Sequence, residues 1–135
     1  MPRRGMRGLE RWIVATLYPS EYHEQCAVFD WARAVEGRYP CLRYLFATLN
    51  GVRLPVGLAV KAKRMGNRRG VPDIWLPVPT AGSHGLVLEM KVRGGRLTRE
   101  QDEWLAYLRG AGYTTGVPYS ADEAIQIIER YIGCG

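Results

Sequence analysis

The chain has 135 residues, 47% of them hydrophobic and 24% charged, with a formal net charge of +6 at pH 7: enough for one compact domain, short for two, and attractive to polyanions before any specific contact forms. Its three cysteines, Cys26, Cys41 and Cys134, form no CxxC pair and no Cys/His cluster, which argues against a zinc framework or a disulfide scaffold and fits reduced thiols in a cytoplasm. No apolar run approaches the roughly 18 residues a membrane span needs, so no membrane partner is expected.

Residues 1–19 read as a basic N-terminal arm with a short helical patch, closed by Pro19. The patch, LERWIVATLYPS, is broken by Glu10 and Arg11 and lacks a small-residue cleavage site, so it is not read as a signal peptide. Residues 20–135 read as a single domain. Ser20 caps a helix to about Glu36, ended by Gly37 and Pro40. RYLFATL (43–49) reads as a strand ahead of an Asn50-Gly51 turn. A helix is expected from Pro55 to about Met65, carrying Lys61, Lys63 and Arg64 and running into the loop GNRRG with Arg68 and Arg69. Two strands follow, IWLPV (74–78) and GLVLEMKV (85–92), joined by a Pro/Gly/Ser linker. Thr98 opens a helix that ends near Gly110 and Gly112, with Gln101 as its capping-box partner. YTTGVPY (113–119) is a fourth strand candidate, and Ser120, with Glu123 three residues on, opens a last helix to about Ile132. The order predicts an α/β domain, a small mixed central β-sheet flanked by helices.

Polar residues inside these elements carry the functional question. Side chains alternate across a strand, so Leu86, Leu88, Met90 and Val92 share one face and Val87, Glu89 and Lys91 the other. The second face is either a solvated face of an antiparallel sheet or half of a charged site. Asp73, at the mouth of the preceding strand, either caps a turn or joins Glu89 across adjacent strands. Two such carboxylates suit a hard divalent cation that keeps some water and meets a phosphate, with Lys91 beside them for charge and for the attacking water. On the first helix, positions 21, 25, 28, 32 and 35 form one stripe, apolar except for Glu21 and Gln25 at its N-terminal end, with Glu24 close by. A carboxylate there either complements the helix dipole or points toward the sheet. Gln101 either closes the capping box or reaches the site while Trp104, one turn on, anchors the helix. Lys61, Lys63, Arg64, Arg68 and Arg69 precede Asp73, and Arg93 and Arg96 follow Lys91. They are either an ordinary solvated surface or contacts for a phosphate backbone.

GVPD (70–73) followed by EMK (89–91) resembles the PD-(D/E)XK nuclease superfamily. With EQCAVFDWAR and LFATLNGVR ahead, REQDEW behind and SADEAIQIIERYI last, the running order over roughly residues 20–132 resembles its virus-type replication-repair nuclease (VRR-NUC) branch. The resemblance implies a restriction-endonuclease-like core and a metal-dependent nuclease. Asp73, Glu89 and the main-chain carbonyl of Met90 would hold Mg2+ or Mn2+. Lys91 would be the catalytic lysine, Glu21 the helix acid with Glu24 and Gln25 as alternates, and Gln101 the supporting glutamine. It further implies DNA as partner, branched or duplex, a homodimer, and a phage-encoded or bacterial setting in replication, repair or recombination, in a bacterial cytoplasm. Two other readings share the residues: a basic DNA-binding module without chemistry, and a sequence-specific restriction-type enzyme.

Overall fold

The structure, a computed structural model, describes residues 20–50 and 54–133; the expected arm over residues 1–19 lies outside them. Helix α1 (Glu21–Val35) starts where Ser20 leaves extended backbone and its side chain accepts the His23 N–H. That bond satisfies one of the donors a helix start leaves open. The chain then turns through a 3-10 helix, Pro40–Tyr44, into strand β1 (Phe46–Ala47). The strand expected over residues 43–49 is therefore much shorter. Pro40 sits in the first turn of the 3-10 helix, and the Leu45 N–H returns to the Leu42 carbonyl, so the backbone of Arg43 and Tyr44 closes a turn instead of a ladder.

Helix α2 (Val56–Arg64) ends in Lys61, Lys63 and Arg64 and buries no residue. Strands β2 (Ile74–Leu76) and β3 (Leu86–Leu88) lie inside the longer runs expected for them. Helix α3 (Arg99–Gly110), strand β4 (Thr114–Gly116) and helix α4 (Ala121–Tyr131) complete the order. Among the described residues one mixed sheet forms, in the order β1-β2-β3-β4. The β1–β2 and β2–β3 pairs are antiparallel and β3–β4 is parallel, with Ile74 opposite Leu88 and Leu88 opposite Gly116.

Helices cover both faces of the sheet. Leu86, Leu88 and Met90 pack with Val28 and Ala32 of α1 and Ala124 and Ile128 of α4. On the other face Val87 packs with Leu105 and Leu108 of α3, with Trp75 and Trp104 against them. The helix stripes explain this: α1 presents Val28 and Ala32, and α4 presents Ala121, Ala124 and Ile128, each set recurring every three or four residues. The solvated second face allowed by the alternation of β3 is thus absent. The chain after β3 leaves the antiparallel ladder but stays bonded to the β4 side, through Glu89 N–H to the Gly116 carbonyl and Lys91 N–H to the Pro118 carbonyl. Glu89 and Lys91 are carried into a covered layer beyond the end of the sheet, 2% and 6% exposed.

Candidate active site

The site forms where β1 and β2 meet the end of β3. Asp73 precedes β2, and its carbonyl accepts the Thr48 N–H at 2.8 Å. The Pro72 carbonyl accepts both the Thr48 hydroxyl (3.0 Å) and the Trp75 indole N–H (2.9 Å). The Pro72–Asp73 peptide is thereby fastened from two strands, which fixes where the Asp73 side chain starts. Asp73 Oδ2 accepts the Met90 N–H at 2.8 Å, and Glu89 Oε2 accepts the Asp73 N–H at 3.2 Å. Glu89 thus holds the Asp73 backbone, and Asp73 holds the backbone of Met90, the residue next to Glu89. Lys91 Nζ lies 3.6 Å from Glu89 Oε1.

Three ionisable groups are buried here with one positive charge among them. Burial penalises the charged forms, so both carboxyls are pushed above their ordinary range. The Met90 N–H and the Lys91 ammonium oppose this at Asp73. Glu89 is raised further by the charge of Asp73 and reaches about 8, with Lys91 pulling the other way. A pair held at that cost is relieved by added positive charge. Among the described residues no group of three or more His, Cys, Asp and Glu side chains is assembled. The oxygen donors brought together here are two hard carboxylates, one of them also accepting the Met90 N–H. Such a sparse oxygen set fits Mg2+ or Mn2+, which fill their remaining positions with water or phosphate, and does not fit zinc.

The acids line a cleft of about 1150 Å3 that also takes in Glu21, Lys63, Arg68, Arg69, Glu100 and Gln101. Glu21 and Gln25 come to a second, adjoining cleft with Asp73. Glu24 is placed differently: its Oε2 accepts the Ala121 N–H at 2.7 Å, so its carboxylate caps the start of α4. Gln101 closes the capping box and is also one of the residues that line the cleft. Its Oε1 accepts the Thr98 N–H at 2.9 Å. Of the basic residues, Lys63, Arg68 and Arg69 line the cleft, whereas Lys61, Arg64, Arg93 and Arg96 are exposed outside its lining.

Three contributors carry no signal in the sequence. Thr48 reads there only as part of a strand, although it fastens Pro72 and Asp73. Asn50, which reads only as a turn former, donates its amide to the Arg68 and Val71 carbonyls (3.0 and 3.2 Å) and ties the basic loop to the β1 exit. Glu100 lines the cleft near Gly70, whose φ of +87° and missing Cβ let the loop approach the start of α3. A β-carbon there would lie 2.6 Å from the Glu100 backbone. All three act through backbone contacts between segments, which leave no local spacing to read.

The fold is shared with a known protein. A solved VRR_NUC domain protein is 27% identical and superposes over 87% of this chain and 92% of that one, with a TM-score of 0.70. No curated protein matches the chain. The mixed four-stranded sheet between helices is a PD-(D/E)XK-like core. The VRR-NUC domain family model matches residues 7–122, from within the segment read as an arm to the start of α4 and across every acid of the site. The chain belongs to the VRR-NUC domain family, a family of nucleases.

Proposed function

We propose that the protein is a divalent-metal-dependent DNA endonuclease that hydrolyses phosphodiester bonds with a preference for branched DNA, such as flaps or four-way junctions, in phage or bacterial DNA replication, repair or recombination. One observation carries the reading: two buried carboxylates, Asp73 and Glu89, crowd each other on a cleft that Lys63, Arg68 and Arg69 also line, with the buried Lys91 paired to Glu89 behind them. A purely structural acid pair has no need of a basic rim, and a binding surface without chemistry has no need to bury two acids.

Asp73, Glu89 and the Met90 carbonyl would hold Mg2+ or Mn2+. When bound, the ion supplies Lewis-acid polarisation of the phosphate and acidification of water. The chain's own residues do the rest. Lys63, Arg68 and Arg69 draw the backbone in and fix its register. Lys91, held 3.6 Å from Glu89 Oε1, would orient the attacking water and balance the negative charge that builds on the phosphate. Glu21, reaching the cleft from the first turn of α1, orients that water or the Lys91 ammonium. Gln101, with its Oε1 held by the Thr98 N–H, lines the substrate side from α3. The Arg93 and Arg96 side chains extend the basic surface beyond Lys91. The working form is a homodimer, which presents two such clefts to the arms of a branch.

The test is purified protein with labelled duplex, single-stranded, flap and four-way-junction DNA, in Mg2+, Mn2+ or EDTA. We expect cleavage only with metal, fastest on the branched substrates, and its loss in Asp73→Ala with DNA binding retained. If Asp73→Ala cuts as fast as the wild type in Mg2+, the site assignment is wrong. Discrete fragments from linear duplex would point instead to a sequence-specific enzyme.

A further inference from the structure

The two clefts that meet at Glu21 and Asp73 differ in chemistry. The first carries the cations Lys63, Arg68 and Arg69. The second, about 440 Å3, lies between α1 and the β1 exit and is walled by Tyr22, Phe29, Ala47 and Leu49, with the Gln25 amide among them. Tyr22 is 73% and Leu49 69% exposed, so large apolar surface faces water directly beside a charged site. The ionic groups of this second cleft are Glu21, Asp30 and Asp73 against Arg33, and Arg33 is itself held by Asp30 at 3.5 Å. A phosphodiester backbone finds no counter-charge there, whereas an uncharged aromatic ring finds a ring, aliphatic groups and an amide that donates and accepts. The clefts thus separate the two halves of a nucleotide around the reacting acids, phosphate on one side and base on the other.

We propose that the second cleft is a nucleobase pocket that takes an unpaired base flanking the scissile phosphate, with Tyr22 and Leu49 against its faces and Gln25 at its edge. The inference rests on the nuclease reading above and names what its site prefers. Drawing a base from a duplex costs unpairing and unstacking, a cost that is least where the nucleotide is already unpaired. Stacking on an exposed aromatic side chain repays it for any of the four bases. The pocket therefore favours cutting beside unpaired nucleotides without reading sequence.

Two duplexes that differ only by one bulged nucleotide beside the cut decide the matter, assayed with wild type, Tyr22→Ala, Tyr22→Phe and Leu49→Ser. We expect the wild type to cut the bulged duplex about ten-fold faster than the paired one. That ratio should collapse toward one in Tyr22→Ala and Leu49→Ser and return in Tyr22→Phe. In parallel, 2-aminopurine at the bulged position, bound to the Asp73→Asn protein, should change fluorescence, and adding Tyr22→Ala should return the signal to its value in free DNA. Both side chains are exposed, so unfolding midpoints should stay at the wild-type value and separate pocket loss from misfolding. A ratio unchanged by Tyr22→Ala, or a 2-aminopurine signal indifferent to it, overturns the pocket. A wild type that cuts neither duplex nor the flap and four-way-junction DNA overturns the nuclease reading instead, and the 2-aminopurine signal, which needs no chemistry, then still decides the pocket.

Discussion

At the level of single residues, the site is a balance between burial and charge. The Asp73 carboxylate accepts the Met90 N–H at 2.8 Å and the Glu89 carboxylate accepts the Asp73 N–H at 3.2 Å, while burial and mutual repulsion drive Glu89 up to about 8. The sign of the resulting pH dependence follows directly. A carboxyl whose folded value is raised from 4.5 to about 8 keeps its proton in the folded state across that window and loses it in the unfolded state. Its stabilising contribution is full below 4.5 and is lost as pH rises through about 8. In EDTA we expect urea midpoints to fall between pH 5 and pH 8, and Glu89→Gln, which keeps the shape without the ionisation, to flatten that fall. A midpoint that rises over the same range would contradict the burial argument. The identity of these residues was legible in the sequence because acid, acid and lysine sit at ordered positions in two short apolar runs. Their burial was not, since alternation in β3 left Glu89 and Lys91 equally compatible with a solvated face until α3 was seen to cover it. Gln101 closes the capping box through its Oε1 while also lining the cleft, so the capping reading alone does not account for its position.

At the level of elements, the β1 exit is the least conspicuous part of the sequence and one of the most consequential for the site. Thr48 and Asn50, two residues apart, fasten four backbone carbonyls of the segment Arg68–Asp73. Thr48→Val keeps the side-chain shape but removes the hydroxyl donor to the Pro72 carbonyl. It should cost about 0.5–1.5 kcal/mol in urea unfolding and weaken the metal dependence of cleavage, seen as a higher Mn2+ concentration at half-maximal rate. Gly70→Ala sets a methyl 2.6 Å from the Glu100 backbone at a φ of +87°. We expect it to destabilise by more than about 1 kcal/mol and to move Arg68 and Arg69 off the cleft rim, measured as weaker DNA binding. Helix starts were readable because Ser20, Thr98 and Ser120 each cap by a local hydrogen bond to the third residue on. The short β1 was not, because the apolar spacing of RYLFATL is shared by a strand and by a 3-10 turn. Glu24 shows the same limit: two carboxylates three residues apart on α1 look alike in sequence, and only packing against α4 shows one of them capping Ala121.

At the level of the whole molecule, a chain of net charge +6 sets three of its cations, Lys63, Arg68 and Arg69, on the same cleft as its two buried acids. Lys63, Arg68 and Arg69 form the rim over Asp73 and Glu89, so long-range attraction of a polyanion ends at the acids. Neutralising all three should lower the slope of log K against log salt by about 2 to 3, since each phosphate that a cation neutralises adds about 0.9 to it. An unchanged slope would remove these residues from the DNA interface. No helix among the described residues is long and apolar enough to cross a membrane, and helices take both faces of the sheet, which leaves the clefts at the β1–β2 end as the concave surface beside the acids. On this reading the buried pair Asp73 and Glu89 is a divalent-cation site rather than a structural acid pair. Calorimetric titration of Mn2+ into the wild type and into Asp73→Asn at pH 7.5 tests it most directly. We expect saturable binding with proton release from Glu89 in the wild type, and its loss in a folded Asp73→Asn. Equal Mn2+ binding by both proteins would contradict the account.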